Sequence, residues 1–465
     1  MPFSSPPFFV FFALYLVGHL LVPLRYRLVL IIVGGTIFYS YWNPAYVWVP
    51  HVLIAIAFGG ALWIDGGQTQ RARRLRLTGT VGALFLPLAF FKYANFLYHQ
   101  VIGLIVPTQD RLIDLPLPLG ISFVTFTLVA YVVEVYRGNF SAQRDYGMLT
   151  SHAVFFPHLI NGPILRPNEL MPQLEHPQRA LDAGFIAGAA IFSVGLVKKL
   201  VFADPMSAVV NAAYAAGGQP TAGDYVLAFY GYSLQIYCDF SGYTDMALGL
   251  ALLLGVQLPQ NFNRPYAAAS IVDFWRSWHI SLSAWFRDYV YIPLGGNRRG
   301  MVRHGFSILL TMGLVGLWHG ASWTFIVWGL GHGLGIVTAH SFRNAGGGRV
   351  SGLVPNWLGT LLTFHFVSLG WIFFRAQDLA TAWRVIAGPF TADFGDVSAY
   401  VSAHVFPLCL LAVFFLSHRF DDHRRIHWFV DRVPAQLVWP LIALMWMLAL
   451  TISGGSSAKF IYFDF

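Results

Sequence analysis

Two histidines lie in stretches of the chain that are otherwise rich in aromatic and aliphatic residues. His279 occurs in DFWRSWHISLSAWFRDYVYIPLGG, and His319 occurs in GLVGLWHGASWTFIVWGLGHG. An ionisable side chain at membrane depth is costly unless it faces protein, water or a substrate, so each histidine is a candidate for chemistry. A neutral imidazole can take a proton from an attacking hydroxyl group, and acyl transfer to a hydroxyl needs such a base.

Two roles are open to His319. Gly316 and Gly320 flank it and permit the close approach of another backbone or of a thin substrate, which suits a general base. A histidine that packs between helices and bonds to a neighbouring carbonyl group fits the same residues. His332 belongs to the same glycine-rich stretch, one predicted helix further on, and is a candidate to line a substrate passage.

His279 lies in an amphiphilic segment with charged neighbours. Asp273 and Arg276 precede it, and a carboxylate could hold the imidazole in one tautomer. On this interpretation Asp273 and Arg276 line the same passage. The alternative is an interfacial histidine that helps the surrounding tryptophans to anchor a surface helix.

Metal and serine chemistry have little support in the sequence. No HExxH motif occurs, and Cys238 and Cys409 lie in separate apolar segments without a histidine at ligand spacing. No GxSxG motif occurs either. The pattern therefore favours acyl transfer without a metal or a bound cofactor.

The segment CDFSGYTDMALG places two carboxylates, Asp239 and Asp245, in the middle of an apolar run. Carboxylates at membrane depth are expected to be paired or hydrated. Two interpretations are equally open: they line a passage, or they bond to neighbouring backbone at a helix break.

The carboxyl-terminal residues 454–465 form a short aromatic tail, GGSSAKFIYFDF. Such a tail either lies in the membrane interface as part of an aromatic belt or folds back into an apolar cavity. In the second case the phenol of Tyr462 is a candidate nucleophile that carries an acyl group.

Composition places the chain among membrane proteins. It has 465 residues, of which 56% are hydrophobic and 11% charged, and its mean hydropathy is +0.59. Soluble domains carry roughly a quarter charged residues. The net charge of +8 comes from short clusters between apolar stretches, which is typical of topology signals, so nucleic acid is not an expected partner.

The hydropathy pattern predicts an all-α polytopic protein with a single transmembrane domain over residues 1–453. We expect about eleven or twelve spans. They lie near residues 8–22, 28–42, 45–64, 77–98, 118–136, 182–203, 225–256, 305–320, 323–340, 357–374, 401–417 and 435–453. The 225–256 run is long enough for two helices.

Residues 153–167 and 271–294 do not resemble spans, because prolines and glycines break the first and charges interrupt the second. We interpret both as re-entrant or interfacial elements that wall a central funnel. Arginine clusters fall in alternate loops, which predicts that both termini and the tail lie outside the cytoplasm. Lys198 and Lys199 fit this pattern poorly.

Several strings together resemble the membrane-bound O-acyltransferase (MBOAT) family, within it the bacterial branch of alginate O-acetylation and teichoic-acid D-alanylation proteins. They are LPLGISFVTFTLVAYVVEVYRG, FFPHLINGPILRP, YCDFSGYTDMALGLALLLGVQLPQNFNRPY, DFWRSWHISLSAWFRDYVYIPLGGNRRG, LWHGASWTFIVWGLGHG and FIYFDF. The resemblance implies a ring of helices around a funnel. It also implies that His319 is the intramembrane catalytic histidine and His279 the second histidine, near the donor entrance.

The activity that the resemblance implies is O-acetylation of an extracellular or periplasmic polysaccharide at the bacterial inner membrane. Cytoplasmic acetyl-CoA is the expected donor, and a periplasmic SGNH-hydrolase-like acetyltransferase is the expected partner, reached through acetylated Tyr462. The alternatives are transfer of D-alanyl groups, acyl transfer to peptidoglycan, or transport of a sugar polymer through the funnel without chemistry.

Overall fold

The computed structural model of the chain describes residues 1–101, 112–177, 184–215, 217–298, 300–345, 355–454 and 458–461. The regular structure in these ranges is helical, and no strand occurs in them. Together with the long apolar helices described below, this confirms the predicted class of an all-α polytopic membrane protein.

Each of the twelve predicted apolar segments is largely helical, because a long apolar run satisfies its backbone hydrogen bonds internally only as a helix. The 401–417 segment is divided between two helices that meet at 75°. Further short helices connect the segments. The helices are α1 (Pro6–Leu21), α2 (Arg27–Ser40), α3 (Trp48–Asp65), α4 (Gln70–Leu88), α5 (Ala94–Val101), α6 (Ile121–Arg137), α7 (Tyr146–Val154), α8 (Phe156–Leu159), α9 (Pro167–Glu175), α10 (Phe185–Val197), α11 (Asp204–Tyr214), α12 (Ala222–Leu253), α13 (Ile271–Ser277), α14 (Ile280–Phe286), α15 (Met301–His319), α16 (Trp323–Ala345), α17 (Asn356–Arg375), α18 (Leu379–Thr391), α19 (Val397–Ala403), α20 (Val405–Ser417), α21 (His423–Arg432) and α22 (Ala435–Ser453).

Fewer helices meet a strict length and composition criterion for crossing a membrane than the eleven or twelve predicted spans. Among the described residues seven do, or eight if the bent pair Val397–Ala403 and Val405–Phe420 is one span. The difference has physical reasons: α1, α2 and α6 are short, and α12 carries several carboxylates. The seven are Pro44–Asp65, Gln70–Gln100, Phe185–Tyr214, Met301–His319, Trp323–Phe342, Asn356–Arg375 and Ala435–Ser453.

The 225–256 run forms one helix, α12, of 32 residues rather than two helices. The predicted topology assumes one helix here, because only then do all the arginine clusters fall on one side of the membrane. The placement of both termini outside the cytoplasm stays a prediction.

The chain folds as two compact units. The first comprises residues 1–192 and 246–259, and the second comprises residues 193–245 and 260–465. In the first unit α3 packs on α4 and α6, and most of α6 is buried. In the second unit α15 packs along α16, which in turn packs on α17. The single transmembrane domain over residues 1–453 stays a prediction.

Neither of the two segments predicted to be re-entrant or interfacial forms one continuous helix. Residues 153–167, in the first unit, contain the end of α7, the short α8 and irregular backbone before α9. Residues 271–294, in the second unit, contain α13, α14 and a π-helical turn, Arg287–Tyr291. The break between α13 and α14 places His279.

Candidate functional site

His279 occupies the break between α13 and α14 in a conformation that is unusual for a residue with a side chain. Its φ is 43° and its ψ is 57°, in the left-handed region, and it is fully buried. A side-chain-bearing residue in this region costs about 1–2 kcal/mol, and such strain concentrates at functional sites. The left-handed turn separates the two short helices.

Asn261 holds this break in place. Its side-chain oxygen accepts hydrogen bonds from the backbone N–H and the hydroxyl of Ser281, at 3.1 and 2.9 Å, and lies 3.3 Å from Nδ1 of His279. Its backbone carbonyl accepts the N–H of Ile280 at 2.9 Å. An amide oxygen at Nδ1 selects the tautomer that carries its proton there, so that Nε2 of His279 keeps a lone pair.

His319 is the last residue of α15 and is buried, with 2% of its surface exposed. The predicted close approach at the neighbouring glycine is confirmed: a Cβ on Gly316 would collide with the backbone carbonyl of Phe325 on α16. Aromatic rings surround the imidazole. The centroids of Trp328 and Phe374 lie 5.1 and 5.0 Å from that of His319.

The structure brings His279 and His319 to the same aromatic cluster. The indole ring of Trp318 lies 6.1 Å from the His279 ring and 4.8 Å from the His319 ring, measured between centroids. Both histidines are also buried in protein, with at most 2% of their surface exposed. A dry surrounding favours the neutral imidazole, which is the form that accepts a proton.

His332 is buried in a cage of aromatic rings. Within the part of the chain that the structure describes, neither of its ring nitrogens has a hydrogen-bond partner. Trp328 connects it to the first cluster, since the Trp328 ring lies 4.9 Å from the His332 ring and 5.1 Å from the His319 ring. The other rings of the cage belong to Phe274, Trp275, Phe366 and Trp371.

Asp273 and Arg276 are exposed and pair with each other at 3.1 Å on α13. Ser270 caps the start of α13: its hydroxyl accepts the backbone N–H of Asp273 at 3.2 Å and donates to the Asp273 carboxylate at 2.7 Å. The residue found at Nδ1 of His279 is thus the amide of Asn261. Arg276 borders an apolar cavity of about 310 Å³ whose walls come from α13, α14, α15 and α16.

Asp239 belongs to a buried ion cluster. Nζ of Lys199 lies 2.7 Å from Asp239 and 2.8 Å from Asp204. The cluster forms because α12 lies close to the backbone at Gly195 in the second unit, where a Cβ on Gly242 would stand 2.8 Å from the carbonyl oxygen of Gly195. Asp239 is paired with Lys199 and accepts the backbone N–H of Ile461, and α12 has no break at this point, so the expected bond to backbone at a helix break is not what holds it.

The described part of the carboxyl-terminal tail folds into the second unit. Phe460 is 3% exposed, and its ring packs on Tyr243 and Phe240 at centroid distances of 4.7 and 6.3 Å. The ring of Phe240 also lies 4.8 Å from that of His279. Phe460 thus lies in the protein interior and not in an interfacial belt, whereas Ala458 and Lys459 are exposed. Tyr462 lies outside the described residues.

Asn261, Lys199 and Asp204 are not among the residues that the sequence predicts for the site. The sequence does carry a signal for Lys199, which fits the charge pattern of the loops poorly. A lysine that lies away from the predicted cytoplasmic loops needs a carboxylate partner within the protein. Asn261 has no comparable signal, since asparagine is ordinary in a loop. Among the described residues no three histidine, cysteine or acidic side chains lie close enough together to hold a metal ion.

Comparison with known proteins gives a consistent picture. The model of the MBOAT, membrane-bound O-acyltransferase family, matches residues 149–346, which include both histidines. A probable alginate O-acetylase AlgI of Azotobacter vinelandii is 40% identical over 406 residues, covering 85% of this chain and 79% of that protein.

Two further relatives carry other names. A peptidoglycan O-acetyltransferase of Helicobacter pylori is 36% identical, covering 83% of this chain and 79% of that protein. A teichoic acid D-alanyltransferase of Bacillus subtilis is 31% identical, covering 64% of this chain and 77% of that protein. With two buried histidines on one aromatic cluster and these relatives, the chain belongs to the membrane-bound O-acyltransferase family and is a multi-pass membrane O-acyltransferase.

Proposed function

We propose that the chain moves acetyl groups from cytoplasmic acetyl-CoA across the bacterial inner membrane for O-acetylation of an extracellular or periplasmic polysaccharide such as alginate. The relatives named as alginate O-acetylase and peptidoglycan O-acetyltransferase support acetyl as the cargo, because they are more similar to this chain than the D-alanyltransferase. Whether the acceptor is alginate or peptidoglycan, its reacting group is a hydroxyl.

The observation that carries the proposal is the shared aromatic cluster of His279, His319 and the tail. Phe240 contacts both His279 and Phe460, and Trp318 contacts both histidines. Ring-to-ring packing thus connects the tail segment directly before Tyr462 with the two candidate bases. Such a site excludes water, which protects an acyl intermediate from hydrolysis.

In the proposed reaction His319 takes the proton of the Tyr462 hydroxyl while the phenol oxygen attacks the thioester carbonyl carbon. The carbon–sulfur bond breaks, and the proton returns from His319 to the coenzyme A thiolate. The products are an acetyl ester on Tyr462 and free coenzyme A. A sugar hydroxyl, presented by a periplasmic SGNH-hydrolase-like partner, then takes the acetyl group and releases the phenol.

His279 is assigned to the donor side. The arginine clusters predict that the segment containing His279 is entered from the cytoplasm. With its tautomer fixed by Asn261, His279 presents Nε2 to the donor. The funnel implied by the family resemblance provides the passage in which donor and tail meet.

The test is polymer acetylation in cells that carry only the variant protein. His319→Ala and Tyr462→Phe are each expected to abolish acetyl groups on the polymer while the protein remains in the membrane. His365→Gln, a change at a histidine bonded to Tyr230 and to its own helix, is the matched control and keeps activity. Full acetylation by His319→Ala would overturn the role of His319.

Two outcomes separate the alternatives. A sugar-polymer transporter predicts that His319→Gln retains function, whereas catalysis predicts its loss. Acetylation that survives Tyr462→Phe but not His319→Ala would show direct transfer to the sugar hydroxyl. The mass of the group added to the polymer distinguishes acetyl from D-alanyl cargo.

A further inference from the structure

Two adjacent lysines, Lys198 and Lys199, are each held between two carboxylates inside the second unit. Lys198 lies 2.7 Å from both Asp245 and Asp421. Lys199 lies 2.8 Å from Asp204 and 2.7 Å from Asp239. Each cluster thus holds two carboxylates on one lysine, and carboxylate oxygens in a buried setting need further hydrogen-bond donors.

Side chains complete the Lys198 cluster. The hydroxyl of Tyr237 donates to Asp421 at 2.5 Å, and Nε2 of His423 lies 2.7 Å from the second oxygen of Asp245. Both carboxylates therefore find a donor besides the lysine. This cluster makes no hydrogen bond to the tail segment 458–461 in the contacts that the structure describes.

The tail backbone completes the Lys199 cluster. The backbone N–H of Ile461 donates to Asp239 at 2.8 Å, and the backbone N–H of Ala458 donates to Asp204 at 3.1 Å. Hydrogen bonds from a neutral donor to a carboxylate are among the stronger ones in proteins. The two clusters thus differ in one respect: the first is closed by side chains and the second by the tail.

Phe460 adds a third point of attachment between the two backbone contacts. Its buried ring packs on Tyr243 and Phe240 of α12. Backbone donors confer affinity without regard to sequence, whereas a ring in a pocket selects an aromatic residue. A peptide segment with one aromatic side chain is therefore the ligand class that these residues recognise.

We propose that Asp204, Lys199 and Asp239 form a peptide-binding site that holds the tail against the second unit, with Phe460 buried, through the N–H groups of Ala458 and Ile461. Lys199 acts as a positioning residue, since it fixes the two carboxylates that accept these donors. The site and the tail stabilise each other, because the tail N–H groups donate to the carboxylates of the cluster. The inference concerns how the tail is held and does not depend on the acyl relay through Tyr462.

Hydrogen exchange of the full-length protein in detergent tests this inference directly. The peptide containing residues 458–461 is expected to exchange slowly in the wild type, and at least about tenfold faster in Lys199→Met and Asp239→Leu, because each variant removes a charge-assisted contact. A peptide from α15 in the same digest reports global unfolding and is expected to remain protected.

Lys198→Met is the matched control, because Lys198 is adjacent, partly buried and ion-paired within the other cluster. It is expected to leave tail exchange at the wild-type rate. Phe460→Ala alters only the tail and is expected to raise tail exchange without disturbing the cluster's fold. Unchanged tail exchange in Lys199→Met, or an equal rise in Lys198→Met, would overturn the proposal.

The activity of these variants separates this inference from the proposed function. Fast tail exchange together with lost acetylation supports both. Fast tail exchange with full acetylation supports the binding site and contradicts the relay, whereas slow exchange in Lys199→Met contradicts the binding site whatever the activity.

Discussion

His279 and His319 share a neighbour in space, the indole ring of Trp318, whose centroid lies 6.1 Å from the first imidazole and 4.8 Å from the second. His279 comes from the break between α13 and α14, and His319 comes from the end of α15. The packing of α13–α14 against α15 therefore decides whether the two imidazoles can act on one substrate.

The left-handed backbone of His279 predicts an order of stability among its variants. Asparagine and glycine adopt this conformation readily, alanine less so, and β-branched residues worst. We expect His279→Asn to melt higher than His279→Val, with a difference in the free energy of unfolding of about 1–2 kcal/mol. Thermal melting in detergent measures this order. Equal melting of the Asn and Val variants would contradict the strain at His279.

The contact between Asn261 and His279 predicts that a change at Asn261 disturbs the orientation of the His279 imidazole. Asn261→Leu leaves the donors of His279 and Ser281 without their acceptor, which costs about 1–3 kcal/mol for each buried group left unsatisfied. We expect a lower kcat with little change in the KM for the donor, and partial rescue by Asn261→Asp, whose carboxylate can accept the same hydrogen bonds. Ser281→Ala, which removes one donor and keeps the Asn261–His279 contact, is expected to lower kcat less. A purely structural role would lower expression in all three variants alike.

The contact between α15 and α16 predicts opposite results at two glycines of α16. A Cβ on Gly329 would collide with the carbonyl of Met312, whereas a Cβ on Gly331 meets nothing within 4 Å. Gly329→Ala is expected to destabilise by about 1–3 kcal/mol through overpacking. Gly331→Ala is expected to be neutral or slightly stabilising, because alanine favours a helix over glycine by up to about 1 kcal/mol. Melting temperatures of the two variants check this, and a tolerant Gly329→Ala would contradict the close approach.

His423, on the helix outside the membrane-spanning segments, predicts a dependence of stability on pH. Burial by itself lowers the pKa of His423. The Asp245 carboxylate 2.7 Å away raises the pKa by more than burial lowers it, so the pKa lies above its ordinary value of 6.5. Lys198 opposes this effect and Asp421 adds to it. A raised folded-state pKa stabilises the protein fully below pH about 6.5, and the contribution is lost as the pH rises through the folded-state pKa.

The wild-type Tm is therefore expected to fall more steeply above pH about 6.5 than the Tm of His423→Gln. His427→Gln, on the same helix, is the control and is expected to keep the wild-type slope. Parallel curves for the wild type and His423→Gln would show that the His423–Asp245 pair contributes nothing to this dependence.

Much of the fold could be predicted from the sequence, because apolar runs are local signals and a membrane permits them few structures. Each predicted span is largely helical, although the 401–417 span is divided between two helices. The number of helices that can cross on their own was less predictable, since α1 and α2 are short and the length of a crossing depends on packing and membrane thickness. The 225–256 run shows the same limit, because hydropathy alone does not distinguish one long helix from two.

The sequence indicates which residue types belong to the site, but it does not indicate which side chains contact each other there. His279 and His319 stand out because imidazoles are rare in apolar surroundings. The partner of His279, Asn261, comes from a loop that precedes α13, and no sequence spacing indicates this pairing. The pairing of Asp239 with Lys199 likewise depends on the close approach of Gly195 and Gly242. Asp273 and Arg276 were expected beside His279 by proximity in sequence, whereas α13 exposes them to form a pair of their own.

The most direct test of the account is mass spectrometry of the purified full-length protein supplied with isotopically labelled acetyl-CoA and no acceptor. We predict that the label appears on the tail peptide at Tyr462 in the wild type and is absent in His319→Gln and in Tyr462→Phe. A labelled tail in His319→Gln, or a labelled polymer formed without any label on the wild-type tail when acceptor and partner are present, would contradict it.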